Sequence, residues 1–160
     1  MKNEIIYTQI LIETLKKKKT ALEHIKEITG RQAGLLTEKK LDLTAFDTLV
    51  DEKNVYINTI QELDEGFQMT FDRVREELKG NQAAFRQEIG QMQELIKAVM
   101  SLSMEIEAAE QRNKAAFEQS MSRTRNSIRE RRVSSQSVTK YYQSAMGSPA
   151  PQSFYLDKKK

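Results

Sequence analysis

The sequence predicts an all-α protein: an elongated antiparallel bundle of three long helices with a partly helical or extended carboxyl-terminal tail. Three observations lead there. Both prolines, Pro149 and Pro151, sit near the carboxyl end, so nothing in the first 148 residues forbids a helix interior. Apolar side chains recur every three, four or seven positions through three successive stretches. The alternating strands bounded by Asn-Gly or Asp-Gly turns that an all-β chain would need are missing.

A first helix can start with Asn3 as its N-cap, after which Leu11, Leu15, Leu22, Ile25, Thr29, Gln32 and Leu36 form one stripe with polar interruptions. Glu13 with Lys17 and Glu27 with Arg31 are i,i+4 pairs for the exposed side. Gly30 and Gly34 loosen the helix end, and Glu38-Lys39-Lys40 reads as a charged connection. Thr44 with Asp47 resembles a capping box for the second helix. From there Phe46, Leu49, Val50, Lys53, Ile57, Ile60, Asp64, Phe67, Phe71, Val74 and Leu78 carry a near-heptad series. Lys53 and Asp64 are charges on that stripe, and Gly66 costs a helix interior about 1 kcal/mol relative to alanine.

Gly80-Asn81 is the clearest turn, glycine suiting a left-handed cap and asparagine the start of the next helix. Phe85, Ile89, Met92, Ile96, Val99, Leu102, Ile106, Ala109, Asn113 and Phe117 keep helical spacing in a third helix, which Met121 and Ile128 extend thinly toward Arg132. Helices of roughly 30 to 48 residues would be about 45 to 70 Å long and, joined by short loops, antiparallel. The third and longest should overhang the others, leaving the Met121 and Ile128 turns without cover and open to a partner.

The chain of 160 residues suits a single core. With no cysteine there is no disulfide, thiolate metal site or cysteine nucleophile, and one histidine, His24, excludes a His-pair metal site. No phosphate loop or nucleophile–base pair can be assembled, so neither enzymatic activity nor a cofactor is expected. The amino terminus meets charge before any apolar run of signal-peptide length, and no window approaches the roughly 18 apolar residues of a membrane span. A soluble, cytoplasmic protein without membrane insertion is the expectation.

His24 reads as an ordinary surface residue, and Asp47, Asp51, Glu52, Asp64 and Glu65 as a solvated face rather than a metal site. Lys16-Lys17-Lys18-Lys19 covers more than one turn, so its charges point all around the helix. Met92 fits the core, whereas Met100, Met104 and Met121 lie off or past the main stripe and suit adaptable contacts. Residues 1–111 carry 15 Lys/Arg against 20 Asp/Glu, and residues 112–160 carry 11 against 3. Arg123, Arg125, Arg129, Arg131 and Arg132 concentrate that charge, yet no base-reading motif accompanies them, and nucleic acid is not the expected partner.

From Val133 the composition shifts to six serines, both prolines, Gly147 and four of the eleven aromatics. This divides the chain into a helical domain, 1–132, and a basic, aromatic-containing tail, 133–160. Val138, Tyr141 or Tyr142, and Met146 have the spacing of a short amphipathic helix, and Phe154-Tyr155-Leu156 forms an apolar plug before Asp157 and three lysines. Both read as docking elements, whether they meet a partner or fold back to cap the bundle. With Phe117, Met121 and Ile128 they make up the candidate partner-binding set.

The run Asp47-Thr48-Leu49-Val50-Asp51-Glu52-Lys53, with Leu63-Asp64-Glu65-Gly66-Phe67 and Arg73-Val74, resembles the second helix of flagellar export chaperones of the FlgN family in clostridia-like bacteria. Gln93-Glu94-Leu95-Ile96, Glu110-Gln111-Arg112-Asn113-Lys114, Tyr141-Tyr142 and the terminal Phe154-Tyr155-Leu156-Asp157-Lys158-Lys159-Lys160 resemble it too. The resemblance implies a cytosolic type III secretion chaperone for hook–filament junction proteins of the FlgK and FlgL type, which it shields and delivers to the export gate. It also implies client or gate contacts in the carboxyl-terminal part, with Tyr141 and Tyr142 as the tyrosines to test. Alternatives are a chaperone similar to FliT, which serves the filament cap protein, a coiled-coil adaptor that forms a homodimer, and a basic helical nucleic-acid binder.

Overall fold

The computed structural model describes residues 2–123 and Tyr141. It consists of three α-helices, α1 (Lys2–Leu36), α2 (Leu43–Gly80) and α3 (Arg86–Arg123), with no strand among the described residues. At 1.5 Å per residue each helix is about 50 to 57 Å long. The all-α bundle read from the periodicity is what forms.

Helix α1 is central. Its backbone runs close to those of both α2 and α3, whereas α2 and α3 stand further apart and meet through long side chains. The core is layered along this axis. At one end Leu11, Ile12 and Leu15 of α1 meet Phe67, Val74 and Leu78 of α2 and Met92 of α3, closed by Phe85 of the α2–α3 turn. In the middle Leu22, Ile25, Ile60, Val99 and Ile106 pack together, all fully buried. At the far end Leu41, Leu43, Phe46 and Val50 meet Phe117 and Tyr141. Heptad-like spacing has this result because i, i+3, i+4 and i+7 lie on one side of a helix, so one stripe per helix removes its apolar area from water.

The helix boundaries correct several expectations. The cap of α2 is Asp42, not Thr44: Asp42 is extended (φ −81°, ψ 93°) and its Oδ1 accepts from Ala45 N at 3.0 Å. Leu43 is buried, and starting there places it on the core stripe, while Thr44 Oγ1 has no capping role and Thr48 Oγ1 bonds to the Thr44 carbonyl at 3.0 Å. Gly80 is not left-handed, since no described glycine has a positive φ. Asn81 serves the preceding helix, its Nδ2 donating to the Glu77 carbonyl at 3.0 Å, and its own carbonyl accepts from Ala84 and Phe85 to form the turn into α3. Helix α1 continues through Gly30 and Gly34 to Leu36.

The expected overhang of α3 is not present at Met121. That side chain is half-buried against Phe46, Phe117 and their neighbours. Ile128 lies outside the described residues. The predicted i,i+4 ion pairs are replaced by others: Glu13 pairs with Lys16 at 3.6 Å, Arg31 reaches Glu52 on α2 at 3.5 Å, and Lys26 meets Glu105 on α3.

Candidate partner-binding site

Two opposite charges occupy core positions on facing helices. Lys53 of α2 is 0% exposed and Glu110 of α3 is 1% exposed, with Lys53 Nζ 2.6 Å from Glu110 Oε1. Both long side chains span the gap that α2 and α3 leave between their backbones. The second carboxylate oxygen, Oε2, accepts a hydrogen bond from the Tyr141 hydroxyl. The Tyr141 ring in turn lies 5.0 Å from Lys53 Nζ, within cation–π range. Burial pushes the Lys53 ammonium below its ordinary value, and the Glu110 charge and hydrogen bond counter part of that shift.

Around this triad the apolar wall is Leu41, Leu43, Phe46, Val50 and Phe117, with the Phe46 and Phe117 rings 5.5 Å apart. Tyr141 is only 7% exposed, so its ring completes the layer while its hydroxyl supplies a donor to a buried carboxylate. A buried polar network of this kind holds only when every member is satisfied. Removing Tyr141 takes a donor from Glu110 and opens the Phe46–Phe117 layer together. The tail position is thereby tied to the alignment of α2 and α3.

Further polar groups line the rest of the axis. Lys18, 1% exposed, donates to Asp64 Oδ1 at 2.8 Å, so one of the four consecutive lysines is interior, and its acidic partner, read as solvated, is half-buried. Asn113 Nδ2 donates to the Thr29 carbonyl at 3.0 Å, joining α3 to α1. Gln32 is fully buried and both its amide atoms are without partners. His24 is exposed as expected and stacks on Tyr56 with ring centroids 4.7 Å apart.

Asp47 also departs from the solvated reading. Its Oδ1 is buried without a hydrogen-bond partner, and burial, then the nearby Asp51 charge, raise its carboxyl above the ordinary 3.8. A folded-state value above the unfolded one means stability is fully present below about 3.8 and is lost as pH rises through the folded value. Asp47→Asn is therefore expected to raise the urea midpoint at pH 7, with the gain shrinking to nothing as pH falls below 3.8. Urea titrations of both proteins at pH 3 and 7 check this.

Of the predicted partner-binding residues, the structure brings together three: Phe117, Met121 and Tyr141 share one apolar cluster. Ile128, Val138, Tyr142, Met146, Phe154, Tyr155 and Leu156 lie outside the described residues. Sequence reasoning passed over Glu110, the residue on which Tyr141 is seated. Its sign was available, because Glu110 follows Ile106 by four and precedes Asn113 by three on the core stripe, opposite in charge to Lys53.

These features define an all-α bundle protein, in which a tail residue is built into a rod of three long helices. The chain matches the FlgN family, described as FlgN protein, over residues 1–148, and it belongs to that family of flagellar chaperones. No curated protein and no solved structure matches it. No helix among the described residues is long and apolar enough to cross a membrane.

Proposed function

We propose that this protein is a cytoplasmic chaperone for hook–filament junction proteins of the FlgK and FlgL type, shielding their amphipathic helices before export and handing them to the export gate. The family match over residues 1–148 carries this reading. Its clients present helical ends that pack only after secretion, and an amphipathic helix laid on an apolar surface of the chaperone would cover them meanwhile. The candidate contact set is Phe117, Met121, Ile128 and the tail residues Val138, Tyr141, Tyr142, Met146, Phe154, Tyr155 and Leu156, with residues 133–160 acting as a docking segment on a bundle of residues 1–132.

The seating of Tyr141 gives this a physical form. Phe117 and Tyr141 are buried against each other's cluster, so a partner that engages them exchanges with the tail rather than adding to an open face. Such exchange keeps affinity moderate and release possible without nucleotide hydrolysis. Changing Tyr141→Ala and Tyr142→Ala together is expected to weaken binding to the junction proteins or the gate component at least tenfold, with the far-ultraviolet circular dichroism of a helical protein retained. Pulldown titrations showing native affinity for both partners would overturn the assignment of these tyrosines.

A further inference from the structure

At the end of the bundle opposite Tyr141, α2 and α3 leave an open apolar seam. Phe67, Phe71 and Leu78 form one wall and Ile89, Met92 and Ile96 the other, around a cavity of about 360 Å³. Along α3 the same side continues in steps of four, three, four and four residues: Ile89, Gln93, Ile96, Met100 and Met104. Met100 and Met104 are 43% and 63% exposed. From Ile89 to Met104 this stripe is about 22 Å long, the length of four helical turns.

The charged side chains lining the cavity are cations, Arg75 and Lys79, with the Glu76 carboxylate 3.9 Å from Arg75 Nε on its outer side. Both stand on α2, Arg86 at the start of α3 lines an adjoining hollow that shares Gln82, Ile89 and Gln93, and no carboxylate is among the residues lining either. That composition runs against the acidic balance of residues 1–111. It disfavours the chain's own carboxyl-terminal third, where 11 Lys/Arg face 3 Asp/Glu, as the occupant. It favours a helix whose apolar face is flanked by Asp or Glu.

We infer that the α2–α3 seam is a docking site for an amphipathic helix of the client with acidic residues bordering its apolar face. This rests on the chaperone reading above and adds a second contact region, at the opposite end of the bundle from Tyr141. Aromatic rings supply rigid area and the methionines an adaptable one, so helices of different sequence fit provided the flanks are acidic.

The test uses the full chain and two fluorescein-labelled 18-residue peptides with leucines at i, i+3, i+4 and i+7, one flanked by glutamates and one by lysines. Fluorescence anisotropy should show the glutamate-flanked peptide binding at least tenfold tighter, and Arg75→Glu with Lys79→Glu should remove that preference. Met100→Asp should weaken the glutamate-flanked peptide at least fivefold. These three positions are on the surface, and circular dichroism verifies that each variant is folded. Equal binding of the two peptides, no binding of either, or unchanged affinity in the variants would overturn the inference. So would a cross-link from a photoreactive residue at Gln93 to the chain's own tail or to a second copy. Junction proteins that bind equally to native and charge-reversed chains would remove the seam and leave the chaperone reading standing. Acidic-peptide binding with no junction protein bound would do the reverse.

Discussion

Lys53→Met is expected to lower the unfolding free energy by about 3 to 5 kcal/mol, the cost of leaving a buried charge without its partner. Glu110 is 1% exposed, and its Oε1 is held by Lys53 at 2.6 Å. Without the ammonium the carboxylate keeps the Tyr141 hydroxyl as a donor, a neutral partner for a buried charge. Adding Glu110→Gln to Lys53→Met should restore most of the loss, because the amide oxygen still accepts from Tyr141 and no net charge stays buried. Urea unfolding followed by circular dichroism at 222 nm reads both variants. The pH dependence has a definite sign. Burial holds Lys53 below 10.5, so the unfolded chain binds that proton more tightly, and the stability from this group rises as pH climbs from the lowered folded value toward 10.5. Lys53→Met should lack that rise.

Phe46→Ala is the second large change, expected to cost about 3 to 5 kcal/mol. Phe46 is fully buried one turn into α2, and its ring lies 5.5 Å from that of Phe117 with the planes inclined by 32°. The cavity opens where α2, α3 and Tyr141 meet, at a place where the backbones of α2 and α3 are too far apart to collapse and fill it. Phe46→Leu should lose less, since a branched aliphatic chain fills part of the space. Urea unfolding gives the magnitude, and hydrogen exchange at Tyr141 should accelerate in Phe46→Ala well beyond exchange in the middle layer around Leu22 and Val99.

The helices were legible because their stripes are long and no proline interrupts them, and the three layers draw on those stripes, joined by Ile12, Ala21, Leu41 and Leu43, which the stripes did not include. Their ends were less so. Asp42 and Thr44 are both competent caps, and only the burial of Leu43 decides between them. Lys53 and Asp64 stood out as charges on a core stripe, but a stripe gives the direction a side chain faces and not the register of the neighbouring helix. Their partners, Glu110 and Lys18, are 57 and 46 positions away. The Lys16–Lys19 run had to turn one member inward, and the spacing alone did not identify Lys18 as the one held by Asp64.

The candidate site was legible in part. Spacing marked Tyr141 or Tyr142 as a docking residue without choosing between them, and composition marked the change at Val133. That Tyr141 docks onto a carboxylate of its own bundle depends on the tertiary approach of two helices and a segment 31 residues downstream of Glu110. The seam between α2 and α3 was illegible for the same reason. Phe67, Phe71, Ile89 and Ile96 read as plain core positions until α1 is seen to hold both helices while they stand apart.

The most direct measurement of the central claim is co-expression of the full chain with each candidate junction protein, followed by size-exclusion chromatography with light scattering. The account predicts a discrete complex of defined stoichiometry with a junction protein, in which the chaperone is released from whatever self-association it shows alone. A tight homodimer that binds no junction protein and no cap protein would contradict it and would place the chain among structural coiled-coil adaptors.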